Sequence, residues 1–187
     1  MGLLTGRISG GKHREVWLDQ STHVLSTIEY EHHEIHGGSA YTLSRPVTLP
    51  VANDDELRIA QPNTTKWAHI IFSVVSDAAV TVSLYEGTAL VYEAANILTP
   101  INRNRNSTNT SGLSICHTPS GVGADGSLIY STTAGVAGNP AYSAQGAVAA
   151  RFEFFLKQNT AYLLRIAGAS GNVLTTNLEW YEHTDKD

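Results

Sequence analysis

Residues 28–38 read IEYEHHEIHGG, which sets His32, His33 and His36 around Glu34. Histidine and glutamate at close spacing are common zinc ligands and common acid–base partners in hydrolysis. The helical zinc-protease motif, His-Glu-x-x-His, would need its second histidine at position 37, and that residue is Gly37. A strand-borne His-x-His pair fails as well, because Glu34 and Ile35 stand two positions after His32 and His33. On an extended strand His32 and His36 share a face but lie about 13 Å apart at roughly 3.3 Å per residue, too far for one metal ion. The motif therefore reads as a polar strand ending at Gly37-Gly38. The alternative is a metal site completed by distant histidines such as His69 or His183.

The run INRNRNSTNTSG (101–112) is the next candidate. On an extended chain Arg103 and Arg105 point the same way, and a row of guanidinium groups grips carboxylates or phosphates in a bidentate fashion. Two readings follow. The arginines meet acidic side chains of a neighbouring subunit, or they pair with this chain's own acids, such as Glu86 or Glu182, while the asparagines fix turns. Asp54-Asp55-Glu56 and Glu179/Glu182 are carboxylate clusters, but glycoside hydrolysis needs two carboxyl groups facing each other across a cleft. There is no Gly-x-Ser-x-Gly elbow and no lysine-bearing phosphate loop. Cys116 and His117, adjacent on a strand, would point to opposite faces. Trp17, Trp67, Trp180 and Tyr181 could form a platform for stacking sugars, or serve as core. None of these patterns makes the chain an enzyme, and none calls for a cofactor or a metal.

The elements that would position these residues are strands. In WAHIIFSVVS (67–76), Ala68, Ile70, Phe72 and Val74 alternate with Trp67, His69, Ile71 and Ser73. In AVTVSLYEG (79–87), Val80, Val82 and Leu84 face inward. The same period recurs in Phe152, Phe154 and Leu156, in Tyr162, Leu164 and Ile166, and in Leu174, Leu178 and Trp180. Segments 56–62, 89–94, 112–118 and 127–132 add further strands, and no amphipathic helix exceeds a turn or two. Period two with Gly, Pro and Asn punctuation predicts antiparallel strands, each half-buried. So many short strands predict an all-β sandwich of jelly-roll type over residues 22–187. Residues 1–21 predict an N-terminal arm that orders on a partner, with Leu3, Leu4, Val16, Trp17 and Leu18 as anchors. The stretch 118–150 holds one charged residue, Asp125, among thirty-three. It predicts a long Gly/Ala/Ser-rich loop, either a surface excursion or a contact loop anchored by Tyr130 and Tyr142.

Composition narrows the function. The chain has 187 residues, 42% of them apolar and only 16% charged, with a net charge of −5. That acidity argues against nucleic acid as the main partner. The balance is uneven: residues 1–16 carry +2, leaving −7 for the rest. Cys116 is the single cysteine, so no internal disulfide forms. The N-terminus matches neither a secretion signal nor the myristoylation pattern, and no apolar run is long enough to span a membrane as a helix. Asn63, Asn106 and Asn109 begin N-x-Ser/Thr triplets, expected by chance in so Ser/Thr-rich a chain.

Taken together, QPNTTKWAHIIFSV, SLYEG, NRNRNS, FFLKQNTAYLLRI and LEWYEH, in this order and spacing, resemble the jelly-roll head decoration, or cementing, proteins of tailed bacteriophages. The resemblance spans roughly residues 22–183 and rests on strand and turn pattern, with no catalytic residues carried over. It implies a virion protein made in the host cytoplasm and located on the outer capsid surface. There it would bridge subunits of the major capsid protein and pair with itself as a homodimer or trimer. The alternative is a head-fibre or tail-associated sugar-binding sandwich for host attachment.

Overall fold

The computed structural model describes residues 5–7, 13–15, 30–51, 54–134, 143–144 and 153–184. Two compact units emerge, Met1–His33 and Glu34–Asp187. In the first, β1 (Thr5–Arg7) pairs antiparallel with β2 (His13–Glu15), Gly6 opposite Arg14. The anchors expected in the arm, Leu3, Leu4, Val16, Trp17 and Leu18, lie outside the described residues, as does Tyr142.

The opening motif is not a strand. Tyr30–Gly37 forms an α-helix, α1, and its end explains why. Gly38 adopts a φ of +71°, the Gly38 N–H donates to the Ile35 carbonyl at 3.0 Å, and the Ser39 N–H donates to the Glu34 carbonyl at 2.9 Å. These two bonds are a Schellman helix stop, in which a left-handed glycine satisfies carbonyls that would otherwise be orphaned. The Gly-Gly pair thus ends a helix, whereas the sequence reading took it as the end of a strand.

The rest is β. Strands β3 (Ala40–Thr48), β4 (Asp54–Gln61), β5 (Lys66–Ser76) and β6 (Val80–Glu86) alternate between two sheets. After a long excursion carrying β7 (Ile97–Leu98), β8 (Ile101–Asn102) and β9 (Ser114–His117), the chain runs through β10 (Ser127–Ala134), β11 (Ser143–Ala144) and β12 (Phe154–Phe155). It returns as β13 (Thr160–Gly168) and β14 (Val173–Thr184). β13 inserts between β4 and β6, and β14 inserts between β3 and β5. The first sheet therefore runs β10-β6-β13-β4-β9-β7 and the second β11-β5-β14-β3-β8, with β12 also on β5. A β3-β14-β5-β12 sheet against a β4-β13-β6-β10 sheet is the double Greek key of a jelly roll.

The inward faces follow the alternation read from sequence. Ile70, Val74, Val82, Leu84, Tyr162, Leu164, Ile166, Leu174 and Leu178 are all buried in one cluster between the sheets. Burying each such side chain contributes about 1.5–3 kcal/mol relative to leaving it in water. Segment 89–94 departs from its expected strand: it makes one bridge, Val91 to Ser120, before a 3₁₀ turn at Ala94–Asn96.

Candidate functional site: the outer faces of the two sheets

With the inward faces consumed by the core, chemistry is left to the outer faces, and these differ. The first sheet's outer face is charged and partly covered by its own chain. Arg165 reaches both oxygens of Asp125 at 2.7 Å and Glu56 at 2.6–2.7 Å, with its guanidinium 5.5 Å from the Tyr85 ring centre. The Arg165 hydrogen bonds hold the Asp125 carboxyl below its ordinary range, and Asp125 and Glu56 in turn raise the guanidinium. The lone charge of stretch 118–150 is thus bound internally. Leu90, Cys116 and Leu163 are buried apart from the main core. Segment 88–91 is tied down beside them by Arg58 Nε donating to the Leu90 carbonyl at 2.8 Å and Ala89 N–H donating to the Ala124 carbonyl at 2.9 Å.

The carboxylate clusters do not form a catalytic pair. Asp55 points inward and meets Arg45 of the opposite sheet at 3.1 Å, while Asp54 and Glu56 serve Arg165. Glu179 and Glu182, three apart on β14, lie on opposite faces. Glu182 is buried, accepting hydrogen bonds from Ser111 Oγ (2.6 Å), Gly112 N–H (2.9 and 3.0 Å) and Trp180 Nε1 (3.1 Å). Its proximity, after burial itself, pushes the Tyr41 hydroxyl up to about 12. A shallow depression of about 490 Å³ at one end of the first sheet is lined by Arg58, Gln61, Thr88, Asn159 and Thr160, without a convergent set of titratable groups.

The second sheet's outer face is different. By alternation it presents Thr42, Ser44, Pro46 and Thr48 from β3, Trp67 through Val75 at odd positions from β5, and Val173 through His183 at odd positions from β14. Among these strand positions Glu179 is the one Asp, Glu, Lys or Arg. Arg103 lies 3.8 Å from it, partly exposed. At one end of the face an aromatic and histidine group assembles. His69 Nδ1 lies 2.7 Å from Glu153, the Tyr181 hydroxyl donates to the same carboxylate, and His69 Nε2 is 2.8 Å from His183 Nε2. Tyr181 stacks on His69 with centroids 4.7 Å apart, Phe155 sits 4.4 Å from His69, and Trp67 stacks on Phe155 at 4.8 Å. Phe155 is 46% exposed.

The sequence candidates are thereby dispersed. Arg103 and Arg105 sit in a tight turn rather than on an extended row, and Arg105 Nη1 donates to the Asn102 carbonyl at 3.4 Å. Glu86 binds Lys157 and Tyr162, and Glu182 holds the 111–112 loop, but Arg103 does meet an acid of its own chain, Glu179 at 3.8 Å. The asparagines do fix turns, since the Asn104 and Asn106 N–H groups donate to the side-chain oxygens of Asn102 and Asn104. Tyr130 packs edge-on against Phe72 and Phe154 at the core margin, where its ring fills space between the sheets rather than standing out from the surface. Trp180 is core, stacked on Tyr41, so of the expected sugar platform Trp67 and Tyr181 reach the outer face, and Trp17 lies outside the described residues. Glu153 and Phe155 were not singled out from sequence. Phe155 is the outward partner of the Phe154 alternation, which would have flagged it. Among the described residues no group of three or more His, Cys, Asp or Glu is placed to hold a metal ion.

No protein-family model matches the chain, and no curated protein matches it in sequence. Among solved structures the chain is similar to a chain of the Israel acute paralysis virus pentamer, at 13% identity and a TM-score of 0.18, over 99% of this chain and 57% of that one. It is also similar to a chain of the full Israeli acute paralysis virus particle heated to 63 degrees, at 14% identity and a TM-score of 0.18, with the same coverage. The chain spans little more than half the length of either. A TM-score of 0.18 assigns no function. The class of the protein, a jelly-roll β-sandwich, comes from its own strand order.

Proposed function

We propose that the chain is a virion structural protein that binds the outer surface of a bacteriophage capsid and stabilises it by bridging subunits of the major capsid protein. The observation that carries this reading is the contrast between the two outer faces. One is charged and partly covered by its own loop. The other is a pleated surface of Thr, Ser, Asn, Ile, Val and Pro, with Trp67, His69, Tyr181 and His183 grouped at one end and Glu179 as the one Asp, Glu, Lys or Arg among its described strand positions. Depletion of charge marks the centre of protein–protein contacts, because a charge buried there must be desolvated. The resemblance of the strand segments to phage decoration proteins supports the same assignment. The contact would bury on the order of 1,600 Å² in total, with Arg103, Arg105 and Tyr142 contributing. Residues 1–21 would act as a strap through Leu3, Leu4, Val16, Trp17 and Leu18. Self-association into a dimer or trimer would add effective concentration on the shell.

Co-sedimentation with purified empty shells tests the reading. The intact chain should pellet with shells. Ile71→Glu with Thr175→Glu, two outward positions on neighbouring strands, should abolish this while the fold persists. Removal of residues 1–21 should leave a folded domain that binds shells weakly. Failure of the intact chain to bind shells at micromolar concentration refutes the proposal. A second reading, attachment to host glycans, is favoured by the Trp67–Phe155 stack, an apolar platform on which a sugar ring can lie. A glycan array that retains the chain, with retention lost in Trp67→Ala, would select it instead.

A further inference from the structure

His69 and His183 come from neighbouring strands two register positions apart, His69 lying opposite Tyr181 and His183 opposite Trp67. Their Nε2 atoms approach to 2.8 Å, and on each ring the other nitrogen already faces an acceptor. His69 Nδ1 lies 2.7 Å from the Glu153 carboxylate, and His183 Nδ1 lies 3.2 Å from the Thr184 carbonyl oxygen. A carboxylate and a carbonyl only accept, so each Nδ1 carries its hydrogen and each Nε2 presents a lone pair. The Tyr181 hydroxyl fits this assignment. It donates its own hydrogen to Glu153 and leaves an oxygen lone pair 3.2 Å from His69 Nδ1. Two nitrogen lone pairs at 2.8 Å repel unless a cation lies between them.

We propose that His69 and His183 form a two-imidazole site for a transition-metal ion of the zinc class, bound through both Nε2 atoms. At about 2.0–2.1 Å per Zn–N bond, tetrahedral geometry needs the two nitrogens about 3.4 Å apart. The rings therefore open by roughly half an ångström, within the reach of a small side-chain rotation. Any proton on either Nε2 leaves to solvent as the metal enters. Glu153 supplies the carboxylate behind a ligating histidine that fixes ring tautomer and orientation at metal sites. Tyr181 and Phe155, against the His69 ring, restrict its rotation. Both ligands stand on paired strands, which hold geometry better than loops. Among the described residues no third His, Cys, Asp or Glu is in place, so these two imidazoles are the ligands assigned to the site.

The test uses the full chain without a histidine tag, titrated with zinc chloride by calorimetry in a weakly coordinating buffer. Uptake of about one ion per chain is expected, with proton release. His69→Gln and His183→Gln should each weaken binding at least tenfold, and Glu153→Gln by about 10–100-fold. Replacing His32, His33 and His36 together by Gln should leave uptake unchanged. On the unaltered chain, long-range ¹H–¹⁵N spectra should show zinc moving the Nε2 signals of His69 and His183, so a variant that fails to fold does not close the question. Absence of uptake overturns the proposal. So does uptake that survives the double His69/His183 variant, or that disappears with the helix histidines.

Discussion

Glu182→Ala offers the sharpest test of how the sandwich is closed at the end where α1 stops. Glu182 is 4% exposed, and its carboxylate takes hydrogen bonds from three separate donors: Ser111 Oγ, the Gly112 N–H and Trp180 Nε1. Those bonds tie the loop 111–112 to β14. Alanine removes the carboxylate from all three donors and strands the Gly112 N–H, while Trp180 Nε1 keeps Ser111 Oγ at 3.2 Å as its acceptor. A stranded buried donor costs about 1–3 kcal/mol and each lost bond to a charged acceptor about 1.5–3, so with some water entering the sum falls at about 3–5 kcal/mol. A domain of this size has about 5–15 kcal/mol in total. Urea unfolding followed by tryptophan fluorescence should show that loss as a lower midpoint with an unchanged slope. By heat the shift should be about 6–20 °C. Glu179→Ala, on the same strand but with its side chain 52% exposed, should change stability by less than about 1 kcal/mol. If Glu182→Ala costs no more than Glu179→Ala, the carboxylate is not what fastens the loop.

Three further outcomes follow from particular contacts. Gly38→Ala should destabilise by about 1–3 kcal/mol in thermal melts, because φ is +71° and a Cβ would lie 2.4 Å from Ser107 Oγ; an unchanged melting temperature would refute the helix stop. Arg103→Ala with Arg105→Ala should lower shell affinity more than stability, since Arg105 is exposed and Arg103 lies 3.8 Å from an exposed Glu179, a contact worth about 0–1 kcal/mol; equal falls would make the pair structural. Burial pushes the Tyr41 and Tyr162 hydroxyls up to about 12 from an ordinary 10.0, so the folded state holds those protons longer than the unfolded one. Their contribution is complete below pH 10 and is lost as pH rises toward 12, which alkaline unfolding of Tyr162→Phe against the unaltered chain should reveal as a smaller loss.

Local pattern carried most of the fold. A strand buries alternate residues whatever its neighbour, so the inward series on β5, β6, β13 and β14 could be read from Ala68, Val80, Tyr162 and Leu174 onward. The asparagine turns around Arg103 were legible for the same reason, since Asn side chains bond their own backbone two residues on. Segment 30–37 was misread because it carries no apolar alternation. Its helix is defined by two backbone bonds and a left-handed Gly38, which are visible only once φ is known.

What tertiary structure alone decided is pairing. Nothing local sets His183 beside His69, 114 positions away, or brings Glu153 behind that ring; both depend on β14 and β12 docking on opposite sides of β5. The same holds for the acids, where Glu182 turns inward to hold a loop and Glu179 turns outward toward Arg103. Sequence determined which residues alternate, because that period is a property of one strand. Register and sheet order were left to packing between strands far apart in the chain, and they decided which outer face is charged and which is poor in charge.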